Sequence, residues 1–151
     1  MDCGTTASTL KASLNLRTGS LTFSGSKCNM KNFNTSSNKA PWAAYKEAIK
    51  SVTFNSYVQT VGEYAFYECG ALASVNTASA TNLTSIGSRA FQYCRALTSI
   101  TIPASVTSMS AYSFYDTGLT SVTWNAINCP SITNASTSAT PFANINFVGY
   151  N

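Results

Sequence analysis

Apolar residues between 49 and 124 fall into a phrase that repeats. VGEYAFYECGAL, Val61 to Leu72, returns as IGSRAFQYCRAL, Ile86 to Leu97, and in degraded form as MSAYSFYDTGL, Met109 to Leu119. The equivalent phenylalanines, Phe66, Phe91 and Phe114, stand 25 and 23 residues apart. A fixed period in this range is the mark of a solenoid, whose units cannot bury their apolar side chains alone and do so by stacking. Each phrase leads into an alternating stretch: Ile49 to Phe54, Leu72 to Thr77, Leu97 to Ile102 and Leu119 to Trp124. Alternation at period two with Val, Ile and Thr predicts a short strand. A turn and a second apolar pair follow: Val58 and Val61, Leu83 and Ile86, Val106 and Met109.

Coils stacked about 4.8 Å apart pair these strands into a parallel sheet and align their inward residues. Phe66, Phe91 and Phe114 are expected in one ladder, and Val52, Val75, Ile100 and Val122 in another. Ala65 and Ala90 are small because a bulky ring lies beside them. Gly62 and Gly87 are expected to serve a turn with positive φ, and Ser110 at the third position shows that the need is not absolute. The second unit carries two more residues than the third, TASATNL against IPASV, which predicts a local bulge.

The flanks read differently, though the chain is expected to be one domain. Leu14, Leu16, Leu21 and Phe23 alternate around the turn signal Arg17-Thr18-Gly19-Ser20, which predicts a β-hairpin within residues 1–25. Residues 26–40 read as a polar loop. Pro41 suits a first helical turn, and Trp42, Tyr45 and Ile49 fall on one helical face, so a short helix is expected from Trp42 to Ala48. Residues 1–48 thus form an N-terminal hairpin and helix cap. Residues 49–124 form the repeats, and 125–151 an irregular C-terminal cap. Ile127, Ile132, Phe142, Ile145, Phe147 and Val148 would cover the open end, or the tail would add a strand to a neighbouring molecule.

Composition narrows the function. Charged residues are 9% of the 151, against roughly 25% in an average soluble protein. Hydroxyl and amide side chains take their place, with 22 Ser, 20 Thr and 14 Asn. Such a surface suits secreted and cell-surface proteins, and equally proteins that pack on copies of themselves without charge repulsion. Seven of the nine basic residues lie singly in the first 50, which is not the dense patch that nucleic-acid binding needs. No stretch reaches the length of a membrane helix. The segment MDCGTTASTLKASL has no apolar run of the signal-peptide kind, and such a signal is read as already removed.

The chemistry that catalysis needs is thin, and the chain is expected not to be an enzyme. Histidine, the commonest general base and metal ligand, is absent. Glu68 and Asp116 hold equivalent places two coils apart, about 10 Å by the coil spacing, a separation open in principle to inverting glycoside hydrolysis. Tyr93 intervenes between them on the middle coil. No cofactor is implied, and without a CxxC spacing no zinc site is. Of the five cysteines, Cys69 and Cys94 are expected to stack as buried thiols, though neighbouring coils would permit a disulfide. Cys3 and Cys28 flank the hairpin and are the candidate disulfide in an oxidising compartment. Cys129 is left over.

The stretch IGSRAFQYCRALTSITIPASVTS resembles the BspA-type, or Treponema pallidum-like, leucine-rich repeat, whose unit runs roughly IGxxAFxxCxxLxxVxIPxSVxx. The resemblance extends upstream through Cys3-Gly4, LTFSG and the PW…Y…I segment into SVTF, so that it covers about residues 3 to 124. It implies a short leucine-rich-repeat stack, a mainly β solenoid with parallel strands. It also implies an extracellular or cell-surface adhesion module that binds host matrix or cell-surface proteins. Two outer surfaces are candidate binding faces. One is the tyrosine set Tyr64, Tyr67, Tyr93, Tyr112 and Tyr115, set against half-buried packing of the same rings. The other is an uncharged hydroxyl ladder on the strands, from Ser51 and Thr53 through Ser74 and Asn76 to Ser99, Thr101, Ser121 and Thr123. A self-assembling subunit of an extracellular fibre or layer, its partner a copy of itself, is the alternative. Sequons stand at Asn34, Asn82 and Asn134.

Overall fold

The computed structural model describes residues 1–5, 10–125, 131–133 and 140–142. Its elements in order are β1 (Leu10–Asn15), β2 (Ser20–Gly25), β3 (Cys28–Asn29), a 3₁₀ helix (Ala43–Ala48), β4 (Ser51–Thr53), β5 (Val58–Val61), β6 (Ser74–Asn76), β7 (Ser85–Ile86), β8 (Ser99–Ile102), β9 (Ser108–Ser110), β10 (Ser121–Trp124) and β11 (Ser131–Thr133). Each coil contributes two strands, one more than the repeat pattern predicts. The second apolar pairs form a five-stranded parallel sheet in the order β11-β9-β7-β5-β3. The alternating stretches form the other face, and the Ala-Phe phrases close each coil between the two.

Stacking proceeds in register except between β6 and β8, where the expected valine and isoleucine ladder breaks. Val52 pairs with Val75 and Ile100 with Val122, while Val61, Ile86 and Met109 follow one another on the second sheet. Val52 and Ile100 are buried, Val75 and Val122 half-buried. The phenyl rings form the expected ladder: Phe66 to Phe91 and Phe91 to Phe114 are each 5.1 Å apart, at 8° and 5°. The ladder is longer than expected. Phe142 stacks on Phe114 at 5.2 Å, and Trp42 on Phe66 at 5.5 Å. Each stacked pair adds about 1 kcal/mol to the burial itself.

The hairpin is β1 and β2, antiparallel, with Leu14 opposite Leu21. Its alternation starts earlier than the pattern placed it: Leu10 and Ala12 are buried, whereas Leu16 belongs to the turn and is 60% exposed. The supposed polar loop 26–40 contains β3, with Met30 and Phe33 buried. β2 pairs in parallel with β4, and β3 with β5. With Trp42 on the ring ladder, residues 20–49 thus follow the path of a coil, disguised in sequence by the long 31–41 connection. The helix is 3₁₀ with a kink at Tyr45. Trp42 and Ile49 are buried as expected, but the kink turns Tyr45 out to 46% exposure.

Gly62 and Gly87 act by close approach rather than by positive φ. A Cβ on Gly87 would stand 2.7 Å from the Glu63 nitrogen and 2.9 Å from the Val61 oxygen in the preceding coil. Positive φ falls instead on non-glycine residues, at the same two places in each of the three Ala-Phe phrases: Tyr64, Arg89 and Tyr112, then Glu68, Tyr93 and Asp116. Such residues cost about 1–2 kcal/mol each, offset by bonds between coils. The amides of Tyr64, Phe66 and Glu68 donate to the carbonyls of Ser88, Ala90 and Gln92 in the next coil.

Candidate functional site

The left-handed positions set what the Ala-Phe turns present outward. Tyr64, Tyr67, Tyr93, Tyr112 and Tyr115 are all half-buried, and Tyr64 packs against the core. They touch in series: Tyr64 to Tyr67 at 5.4 Å, Tyr67 to Tyr93 at 5.5 Å, Tyr93 to Tyr115 at 6.0 Å and Tyr115 to Tyr112 at 5.4 Å. All five candidate tyrosines therefore lie in one ladder.

Arg89, not singled out from sequence, completes it. Its guanidinium lies 5.6 Å from the Tyr64 ring centre and 5.1 Å from that of Tyr112, a cation between two rings. The signal was present in the alignment of the phrases, where Arg89 holds the position of Tyr64 and Tyr112. Arg95 covers Tyr93 at 5.5 Å and binds Asp116 at 2.6 Å. Lys46 binds Glu68 at 2.6 Å. Both carboxylates that sequence spacing offered as an acid pair are thus held by cations. Hydrogen bonding to Glu68 raises the Lys46 pKa. Burial, then the Glu68 charge beside it, pushes the Tyr67 phenol up. Every charged residue after position 50 (Glu63, Glu68, Arg89, Arg95, Asp116) sits in an Ala-Phe phrase.

The hydroxyl ladder is interrupted. β6 ends the sheet β1-β2-β4-β6, and β8 and β10 form a separate pair. Ser99 and Thr101 therefore align with Ser121 and Thr123, but not with Ser74 and Asn76. The cause is local. Thr77 stands where the next coil has Ile102, and its hydroxyl donates to Thr101 O at 2.9 Å. The longer TASATNL turn follows, and an open recess of about 530 Å³ lies there, lined by Val75, Thr77, Ala80 and Pro103 among others.

The Cys3, Cys69 and Cys94 thiols are buried. Cys94 Sγ donates to Phe66 O at 3.1 Å and Cys3 Sγ to Leu10 O at 3.5 Å. Burial pushes the Cys3 and Cys69 thiols up to about 12, and raises Cys94 well above its ordinary value. Cys28 is buried too, within 3.4 Å of Thr5 Oγ1. The Lys31 amide donates to Cys3 O and the Thr5 amide to Asn29 O, a register that sets Lys31 opposite Cys3. Cys129, Asn134, Ile127, Ile145, Phe147 and Val148 lie outside the described residues, as does the side chain of Ile132. Among the described residues no helix is long and apolar enough to cross a membrane, and no group of three His, Cys, Asp or Glu could hold a metal.

A family model described as the BspA type leucine-rich repeat region matches residues 18–147, in 6 copies. Among solved structures, the chain is similar to a leucine-rich repeat protein from Eubacterium ventriosum ATCC 27560. The two are 24% identical with a TM-score of 0.59, over 80% of this chain and 37% of that one. It therefore spans little more than a third of that protein's length. A leucine-rich repeat protein from Bacteroides capillosus ATCC 29799 is 22% identical with a TM-score of 0.50, over 82% of this chain and 99% of that one. A leucine rich cell surface protein from Faecalibacterium prausnitzii A2-165 is 19% identical with a TM-score of 0.38, over 91% and 56%. No curated protein matches the chain.

Proposed function

The chain belongs to the BspA-type leucine-rich repeat family, and from that premise we propose that it is a cell-surface adhesion module without catalytic activity, which meets its protein partner through the tyrosine ladder of the Ala-Phe turns. One observation carries the reading: five tyrosines from three coils touch in series, with Arg89 held between two of them. Tyrosine and arginine dominate the energetics of protein contacts because they give large, stiff contact area with polar edges. Here the rings are held in place by one another before any partner arrives, which lowers the entropy cost of binding. The charges of the repeat region gather on the same side, where they steer and orient a partner. The repeat strands β4, β6, β8 and β10 carry no charge, and their hydroxyl ladder breaks between β6 and β8. The partner class is a matrix or cell-surface protein, and the setting is extracellular.

Assembly into a fibre has less support at the N-terminal end. Asp2 bridges to Lys11 on the outer edge of β1, and Met1 and Ala12 exchange hydrogen bonds. That edge is partly closed to a neighbouring chain, as edge protection requires.

The test is binding of the purified protein to a panel of immobilised matrix proteins by biolayer interferometry. Tyr93→Ser and Tyr115→Ser should weaken the bound pair at least tenfold, since each removes a central aromatic contact. Ser99→Ala with Thr101→Ala should leave it unchanged. The reverse pattern sinks the ladder reading. Sedimentation that grows into filaments with concentration favours the assembly alternative instead.

A further inference from the structure

A recess of about 290 Å³ lies between the 31–41 connection and the first Ala-Phe turn. Its floor is Trp42, Ala65 and Cys69, all buried. Its rim is polar, with Asn34, Lys39, Lys46 and Glu68. The polar groups are strongly one-sided. Asn34 Oδ1 already accepts from the Ser36 amide and hydroxyl and from the Asn38 amide, which leaves its Nδ2 hydrogens to donate. Lys39 makes no ion pair among the described residues. Lys46 gives one hydrogen to Glu68 and keeps two. Trp42 Nε1 is already engaged, donating to Ala65 O at 2.7 Å. The rim is thus rich in donors, carries two ammonium groups against one carboxylate, and offers only Glu68 as a charged acceptor.

We propose that this recess takes a carboxylate side chain from an acidic peptide segment of the partner. The proposal rests on the protein-interaction reading and names the chemistry of one contact within it. A sugar fits less well, because two of the three rings that line the recess are already engaged. Trp42 is covered by Phe66 and Phe33, and Tyr64 by Arg89 and Tyr67. A peptide has room to continue. The recess shares Lys46, Tyr67 and Glu68 with a more open cleft of about 530 Å³ that runs on to Tyr93 and Arg95. The groove therefore leads from the Lys39 rim onto the tyrosine ladder.

The probe is a fluorescein-labelled hexapeptide with three glutamates, titrated by anisotropy at low salt beside its glutamine counterpart. The glutamate peptide should bind roughly tenfold more tightly, the scale of one charge-assisted hydrogen bond. Lys39→Ala should remove most of that difference, while Lys11→Ala, an exposed lysine of β1, should keep it. Equal binding of the two peptides overturns the proposal, as does an effect of Lys11→Ala equal to that of Lys39→Ala. Tyr115→Ser separates this proposal from its parent reading. Lost glutamate preference with matrix binding still sensitive to Tyr115 overturns the recess alone. Retained preference with matrix binding insensitive to Tyr115 overturns the ladder alone.

Discussion

The backbone of Gly62 lies so close to that of Lys31 that a Cβ built on Gly62 would overlap the Lys31 carbonyl oxygen. The obstacle is main chain, held by β3 against β5, and cannot rotate away. Gly62→Ala should therefore destabilise the protein by about 3 kcal/mol, the upper range for overpacking. Gly70 is the control, since a Cβ there meets only the Glu47 carboxylate at 3.8 Å. Gly70→Ala should be neutral or slightly stabilising, by about 0.5 kcal/mol. Urea midpoints of the two variants decide it. If Gly62→Ala unfolds no earlier than Gly70→Ala, the close approach is not a real constraint.

The repeat region was legible because every coil solves the same packing problem with the same residues. The in-register Phe66, Phe91 and Phe114 follow from their spacing alone. What escaped the sequence was set by neighbours in space. Gly62 reads as a turn residue until the path of Lys31 is known. Trp42 reads as a helix-face residue, yet it substitutes for a phenylalanine in the ring stack. Phe142 sits in TPF, with no Ala-Phe phrase to announce it, and still stacks on Phe114. The tyrosine face was legible as a list of positions, but Arg89 was not: its role depends on reaching rings one coil away on either side.

Phe91 is the middle of the ring ladder, stacked on both faces and buried. Phe91→Ala should cost about 3–5 kcal/mol, the range for removing a buried ring without collapse of the site. That is a large share of the stability of an ordinary domain. Phe91→Leu keeps most of the volume and should cost less than half as much, so it stays measurable if the alanine variant does not fold. Tyr93→Ala, one position from the core on the outer face, should cost less than either. A Tyr93→Ala loss equal to that of Phe91→Ala in chemical denaturation would mean that the tyrosines carry the stack.

The break between β6 and β8 has a backbone signature. The Ala73 amide donates to Lys50 O and the Thr120 amide to Thr98 O, each at 2.9 Å. Thr98, at the same place in the coil between them, makes no such backbone bond to the preceding coil. Its amide should exchange with solvent at least roughly tenfold faster than that of Ala73, because it needs no local opening. Native-state hydrogen exchange by NMR reads this directly. Protection of Thr98 equal to that of Ala73 would show one continuous sheet, and would return the full hydroxyl ladder to the list of binding faces.

The buried thiols make stability fall in alkali. Burial raises Cys69 from 9.0 to about 12 in the folded chain, whereas the unfolded chain ionises near its ordinary value. Below about pH 9 both states keep the proton and the full stability is present. Between about 9 and 12 the unfolded state releases it and the folded state does not. Unfolding is then favoured, by about 1.4 kcal/mol per pH unit for each such thiol. The urea midpoint should accordingly drop from pH 9 upwards, and Cys69→Ala should make that drop shallower while lowering the value at pH 7. Alkylation follows the same logic. Iodoacetamide at pH 8 should leave Cys69 and Cys94 unmodified in the native protein and modify both in urea, as mass spectrometry of tryptic peptides would show. Rapid native labelling of either cysteine would mean that the coils open around the phenylalanine ladder far more readily than its packing implies.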